Sequence, residues 1–519
     1  MSEAHYKIAL KKGVDKEQIV DELTRDTTSD ASVDSNVIPD RQVQFVDERK
    51  SSKRIVEMAL TPAEVVKLRA DNRIGDIEFP LTWSDDWLDY EVNPRTSWAR
   101  NSTSITRNNW GLLRHIEETN GWGTNHTDTR SSTNFTGHLD GTGVDYVHQE
   151  GAIPRPDHEY LDDANGTSRM QTFQWNTLPN CSSAGTMYYT TNADGDHATH
   201  CCGTAVGKGI GWATNATLYF CDLSALSQAY WFDSIKEFHK AKTIDPVTGV
   251  KRPTVVSASW GYKSTFTDIT DIVFRGSSTG TTTKSSSYGM IGDTSSRFNA
   301  AIYSLQAEVE EMQDEGVIYC KSAGNQYQKL CYSDDIDYNN YITKSVSSGN
   351  ISAGNPIYYN RGAGNIGPDT IVVGNLDDDY SASYAGTASQ NGEYTAGSSD
   401  KGPRVDVWAA GTNIVSGGVS SSTYYYSTSG TSMSTPQIAG MACLLLQANP
   451  GMTPAQVRAW FQNNAKTGLM NQGPTDESDP ATFFGDNFGL MNGTNRIAYF
   501  PFSAHRPLTS TVTGNVSIG

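Results

Sequence analysis

Gly430-Thr431-Ser432-Met433-Ser434-Thr435-Pro436 runs directly into Gln437-Ile438-Ala439-Gly440-Met441-Ala442, a turn of small residues that opens a tightly packed helix. A serine at such a turn sits at a helix N-terminus, where unpaired N–H groups and the helix dipole favour negative charge on or near its oxygen. That placement suits a nucleophile. A hydroxyl alone is a weak one, so the chain should also supply a base, a group that orients the base, and donors for a developing oxyanion.

Upstream, Asp194-Gly195-Asp196-His197-Ala198-Thr199-His200-Cys201-Cys202-Gly203-Thr204 offers the base. Small residues at 198, 199 and 202–204 let this helix start pack close to the sheet and to the helix after Ser432. The two stretches together resemble the nucleophile turn and the H-G-T-H-x-x-G-T motif of the subtilisin-like serine peptidases (subtilases), with Ala198 where the family has Gly. The resemblance implies Ser432 as nucleophile, His197 as base and His200 as a structural residue.

The orienting acid departs from the family pattern. Gly141-Thr142-Gly143-Val144-Asp145-Tyr146-Val147-His148-Gln149-Glu150-Gly151-Ala152-Ile153 resembles the first subtilase strand, which normally ends in Asp followed by Ser or Thr and Gly. Anchoring on Gly141-Thr142-Gly143 and on Asp157-His158-Glu159-Tyr160 puts Glu150 in the Asp position. A register shifted by one puts Gln149 there, and Asp140 and Asp145 are fallback acids. The choice matters because a carboxylate fixes the imidazole tautomer and stabilises the imidazolium, whereas an amide supplies no charge.

Gly316-Val317-Ile318-Tyr319-Cys320-Lys321-Ser322-Ala323-Gly324-Asn325 reads as a buried strand ending in a tight turn. It resembles the subtilase strand whose terminal A-G-N carries the oxyanion-hole asparagine, which implies Asn325 as donor beside the Ser432 backbone N–H. Pro253-Thr254-Val255-Val256-Ser257-Ala258-Ser259-Trp260-Gly261 is a β-branched run. By the same resemblance, Ser259, Trp260 and Gly261 pair with an extended peptide, with Ala323 and Gly324 completing the substrate-binding set. The order acid, His, Ser is the subtilisin order. Residues 405–414 and the helix Thr453–Phe461, with Thr as N-cap and Pro at its first position, add to the likeness. The fold implied is α/β, a subtilisin-like parallel sheet flanked by helices.

At 519 residues the chain exceeds one ordinary domain. Residues 1–80 read as a small α+β domain of βαββαβ, ferredoxin-like pattern: strands at His5–Lys11, Gln42–Val46, Arg54–Leu60 and Ile74–Glu78, with helices Lys16–Leu23 and Thr61–Leu68 between them. It resembles the inhibitor-like propeptides of subtilases, which cover the cleft and are cut off. A linker with a processing site follows at 81–108, the peptidase domain at 109–500, and a tail at 501–519. The Gly/Ser/Thr/Tyr-rich stretches 262–295, 380–402 and 411–430 read as long surface loops.

A net charge of −18 argues against nucleic-acid or anionic-membrane partners. The N-terminus lacks an apolar leader core, and no apolar run is long enough to span a bilayer. Seven cysteines, an odd count, suit buried free thiols rather than a disulfide framework. No cofactor is required; the family leaves room for structural calcium, but no metal residue is assigned, and Asp377-Asp378-Asp379 reads as a solvated loop. The expectation is a serine endopeptidase acting on peptides or proteins. The chain looks most like the signal-less subtilases of tailed phages, which places it in the host-cell cytoplasm or a virion, among other virion proteins. The alternative is a pseudopeptidase kept as a structural or peptide-binding protein, because the departures at 150–152 and 198 cluster around acid and base.

Overall fold

The computed structural model describes residues 3–11, 14–25, 38–39, 41–47, 55–78, 110–116, 118, 139–163, 165–179, 181, 195–223, 231–292, 296–301, 303–346, 353–363, 365–377, 393–486 and 488–500. The linker at 81–108, the tail at 501–519, Asp378, Asp379 and much of the 380–402 stretch lie outside the described residues. Two units emerge: the described N-terminal residues together with Ile244–Val250, and the rest of the chain.

In the first unit Tyr6, Ile8 and Leu10 are buried at alternate positions, so β1 (Ala4–Leu10) presents one face to a core. α1 (Lys16–Thr24), β2 (Gln44–Asp47), β3 (Ile55–Leu60), α2 (Pro62–Arg69) and β4 (Ile74–Glu78) follow. The four strands form an antiparallel sheet in the order β2-β3-β1-β4. A full capping box starts α2, with Thr61 accepting from the Glu64 N–H and Glu64 accepting from the Thr61 N–H.

The second unit is built on one mainly parallel sheet. Its elements in chain order are α3 (Trp110–Ile116), β5 (Asp145–Glu150), α4 (Asp196–Val206), β6 (Thr217–Asp222), α5 (Asp233–Lys240), β7 (Thr254–Ala258), α6 (Tyr303–Asp314), β8 (Ile318–Ser322), β9 (Ile371–Leu376), β10 (Val407–Ala410), α7 (Thr431–Ala448), α8 (Pro454–Asn464), β11 (Lys466–Thr467) and β12 (Arg496–Ile497). The sheet order is β11-β12-β10-β9-β8-β7-β5-β6, and only β11 runs antiparallel to its neighbour. Residues of β7, β8 and β9 are buried without interruption, as expected of strands covered on both faces. The carboxyl ends of β5, β7 and β8 therefore deliver Glu150, Ser259 and the Ala323-Gly324-Asn325 turn toward one edge of the sheet, where ligands bind in open α/β sheets.

Stretch 262–295 differs from the expected loop. Lys263–Thr265 pairs with Arg297–Asn299, and Ile269–Phe274 pairs with Tyr341–Lys344, over a separate apolar cluster containing Phe266, Ile272, Met290 and Phe298. Within 411–430, Ile414–Gly417 and Tyr425–Thr428 form a hairpin. All seven cysteines are buried free thiols. Among the described residues no helix is long and apolar enough to cross a membrane.

Candidate active site

Ser432 lies in the first turn of α7 and is 8% exposed. Pro436, inside the same helix, has no N–H, so the Ser432 carbonyl lacks its helical donor. Two side chains fill that gap: Ser259 Oγ donates to Ser432 O at 2.9 Å and Cys201 Sγ at 3.2 Å. In return, Ser432 Oγ donates to Ser259 O at 3.2 Å. The proline thus ties the nucleophile turn to the end of β7 and to α4. The Ser432 hydroxyl thus rests on a backbone carbonyl rather than on the His197 imidazole.

His197 opens α4 behind Gly195, its side chain 45% exposed. Its Nδ1 lies 3.0 Å from Glu150 Oε1. With Nδ1–H donating to the carboxylate, Nε2 is left as the proton acceptor that a general base needs. Glu150 is the last residue of β5, with its side chain 12% exposed. Its second oxygen faces His148 Nε2 at 3.6 Å, and His148 Nδ1 in turn meets the Tyr146 hydroxyl at 3.1 Å. The carboxylate is held between two imidazoles. Burial works to raise its pKa, but the two imidazoles, His148 and His197, prevail and take it down to about 2. Cys201, one turn along α4 and 3.9 Å from both ring nitrogens, acts with Glu150 to raise the His197 pKa above the ordinary imidazole range.

The other candidate acids point elsewhere. Gln149 faces the opposite side of β5, as a one-residue step in a strand requires, and its amide bonds Trp231 O and the Trp260 indole N–H. Asp145 pairs with Lys242 and Arg252 at the start of the strand, both at 2.7 Å. Asp140 is bound by the Thr142 N–H and the Asn215 amide. His200 is buried, its Nε2 on the Ile414 carbonyl.

Asn325 Oδ1 accepts from Thr431 N at 3.0 Å and Thr431 Oγ1 at 3.1 Å, which holds its side-chain amide beside the start of α7. Gly430 sits there with φ +153°, a conformation open to glycine. A methyl group on it would lie 3.5 Å from Asn325 Nδ2 and 3.7 Å from the Ser432 amide nitrogen. Glycine therefore keeps open the space between the two N–H donors. A cavity of about 360 Å³ adjoins it, lined among others by Ser259, Trp260, Gly261, Gly324, Asn325 and Ser432. Among the described residues nothing pairs with the backbone N–H and C=O groups of Trp260 and Gly261. Ala323 is wholly buried, its N–H is bonded to Val373 O, and it is not among the residues that line the cavity.

Residues 124–485 match the family model described as the Subtilase family, peptidase S8. The chain belongs to the subtilase family. It is 36% identical over 131 residues to serine protease AprX of Bacillus subtilis (strain 168), covering 20% of this chain and 28% of that protein. It is 36% identical over 133 residues to a subtilisin of Bacillus pumilus, covering 24% of this chain and 42% of that one. The matched stretches thus span less than half the length of these relatives. A solved cold adapted subtilisin-like serine proteinase aligns over 76% of this chain and 98% of its own, at 19% identity and a TM-score of 0.40.

Two features of this subtilase bear on metals. Glu150, His197 and Cys201 bring ligand atoms within 4.8 Å of one another, a set able to take a thiophilic divalent ion. Elsewhere Asp335, Asp337 and Glu477 converge as a calcium site would, but Lys329 Nζ fills the centre, at 2.9, 3.0 and 2.9 Å respectively. The ammonium there supplies the positive charge from within the chain.

His148 was not singled out by the motif reading, although its spacing of two from Glu150 along one strand puts both on the same face. The Pro436 and Cys201 contributions needed the fold, since they join residues far apart in sequence.

Proposed function

We propose that the chain is a subtilisin-type serine endopeptidase that works with glutamate in place of the family's aspartate. The observation that carries this is the 3.0 Å contact between Glu150 Oε1 and His197 Nδ1, on the far side of the imidazole from its basic nitrogen. Ser432 Oγ leaves the Ser259 carbonyl, gives its proton to His197 Nε2 and attacks the scissile carbonyl. Asn325 Nδ2 and the Ser432 N–H take the oxyanion. His197 then protonates the leaving amine, and water hydrolyses the acyl-enzyme by the same route. The backbone of Trp260 and Gly261, unpaired among the described residues, offers an extended substrate a strand edge.

Residues 1–80 act in this reading as a propeptide, removed within 81–108, ahead of a peptidase domain at 109–500 and a tail at 501–519. The phage and virion setting rests on sequence resemblance alone. A second reading, a pseudopeptidase that binds peptides, draws on one observation: the Ser432 hydroxyl is engaged by Ser259 O. Following the mass of the full chain at neutral pH beside Ser432→Ala separates the two. Loss of a fragment ending between about residue 80 and residue 108 in the parent alone supports the peptidase; two intact chains support the second reading.

A further inference from the structure

The cavity beside Ser432 carries positive charge that the reaction itself does not use. Lys321, next to last in strand β8 after Ile318, Tyr319 and Cys320, is 1% exposed and is one of the residues that line the cavity. Its only hydrogen bonds among the described residues run to the carbonyl, at 2.7 Å, and hydroxyl, at 3.1 Å, of Ser322. Among the described residues no carboxylate stands within ion-pair distance. The carboxylate whose field reaches it, Asp400, is already bound by the Gln326 N–H at 2.8 Å, the Gln328 N–H at 3.0 Å and the Asn299 amide. Lys263 and Arg297 add two further cationic side chains to the same walls. Gly261 makes room for the group: a methyl there would lie 3.2 Å from Lys321 Nζ and collide with Ala363.

A buried cation without a counter-ion is unfavourable unless something supplies the charge. Burial, with Lys263 adding to it, pushes the Lys321 pKa down to about 7, while Asp400 pulls the other way. An incoming carboxylate would relieve this strain on the ammonium and meet its free donor capacity. In a chain of net charge −18, three cationic side chains line one cavity next to the nucleophile.

Resting on the peptidase reading above, we propose that this cavity receives the side chain of the residue that furnishes the acyl group, and that it selects aspartate or glutamate there. The selection is by charge: Lys321 at the floor, Lys263 and Arg297 on the walls.

The test uses the full chain and peptides identical except for the residue before the scissile bond: Glu, Asp, Gln, Phe or Lys. A charge-assisted bond formed in a dry pocket should favour Glu or Asp over Gln by about ten- to a hundredfold in kcat/KM. Lys321→Met should pull the Glu/Gln ratio toward unity. Should that variant fail to fold, Lys263→Gln and Arg297→Gln, on the walls, should each lower the ratio. Equal cleavage of the Glu and Gln peptides, a preference for Phe or Lys, or ratios unchanged in the folded variants would overturn the proposal. Labelling of Ser432 by an uncharged fluorophosphonate separates this from failure of the peptidase reading. If Ser432 does not label, the peptidase reading falls and the pocket is read by equilibrium binding. Peptides ending in Glu and in Gln, both C-terminally amidated, then serve as probes: tighter binding of Glu supports the pocket, and equal binding removes it.

Discussion

Replacing Glu150 by glutamine keeps the shape of the side chain and removes its charge. In the structure the carboxylate oxygen lies 3.0 Å from His197 Nδ1. Two unit charges at that separation, in an effective dielectric of about 20, interact by about 5.5 kcal/mol. At about 1.36 kcal/mol per decade this is roughly four orders of magnitude in rate if the imidazolium forms only in the transition state. The His197 side chain is 45% exposed, so water screens part of that attraction. We therefore expect Glu150→Gln to lower kcat/KM about a thousandfold, with KM changed far less than kcat. Glu150→Asp keeps the charge but shortens the side chain by one carbon, about 1.5 Å. The gap to Nδ1 then opens to roughly 4.5 Å, past hydrogen-bond range, and a loss of about a hundredfold follows. Steady-state kinetics on a cleaved peptide, with thermal unfolding to show that each variant is folded, read both effects. A Glu150→Gln enzyme within tenfold of the parent, or a Glu150→Asp enzyme faster than it, would refute the reasoning.

Other residues of the site make separate predictions. His197 must be neutral to accept the Ser432 proton, and its pKa is raised by Cys201 and Glu150; activity should rise with pH through an acid limb above the ordinary imidazole value of about 6.5. Cys201→Ala removes the first of these influences, so the limb in a kcat/KM profile should move to lower pH; no movement, or an upward one, contradicts the assignment. His148→Phe keeps a ring in the buried strand but leaves Glu150 Oε2 without the imidazole 3.6 Å away; kcat should fall about tenfold or more with KM held, and an unchanged kcat would exclude a role in positioning the carboxylate. Lys329→Met strips the cation from Asp335, Asp337 and Glu477 and should destabilise the fold by about 3–5 kcal/mol. Millimolar calcium should recover part of the lost melting temperature, and a variant as stable as the parent would show that the cluster carries no net strain.

Much of the candidate site was legible because its parts are local. The Gly430–Pro436 turn, the Ala323-Gly324-Asn325 turn and the position of Glu150 at a strand end are each fixed by a few consecutive residues. The choice between Glu150 and Gln149 followed from strand alternation once β5 was in place, since the two side chains leave opposite faces. Stretch 262–295 was misread because its pairing is non-local: Ile269–Phe274 needs Tyr341–Lys344 beside it, and no short window contains both. The bonding of the Ser432 carbonyl by Ser259 and Cys201 was hidden for the same reason. Lys321 was visible as a lysine after an apolar run, but its meaning came from the absence of a partner carboxylate among the described residues.

The central claim is that Ser432 is a nucleophile activated by His197 and Glu150. Its most direct test is the intact mass and peptide map of the full chain after exposure to an uncharged fluorophosphonate, with Ser432→Ala and His197→Ala alongside. The account predicts one adduct, on Ser432, in the parent chain, none in Ser432→Ala and strongly slowed labelling in His197→Ala. A parent chain that stays unlabelled, or one that labels at the same rate without His197, would contradict it.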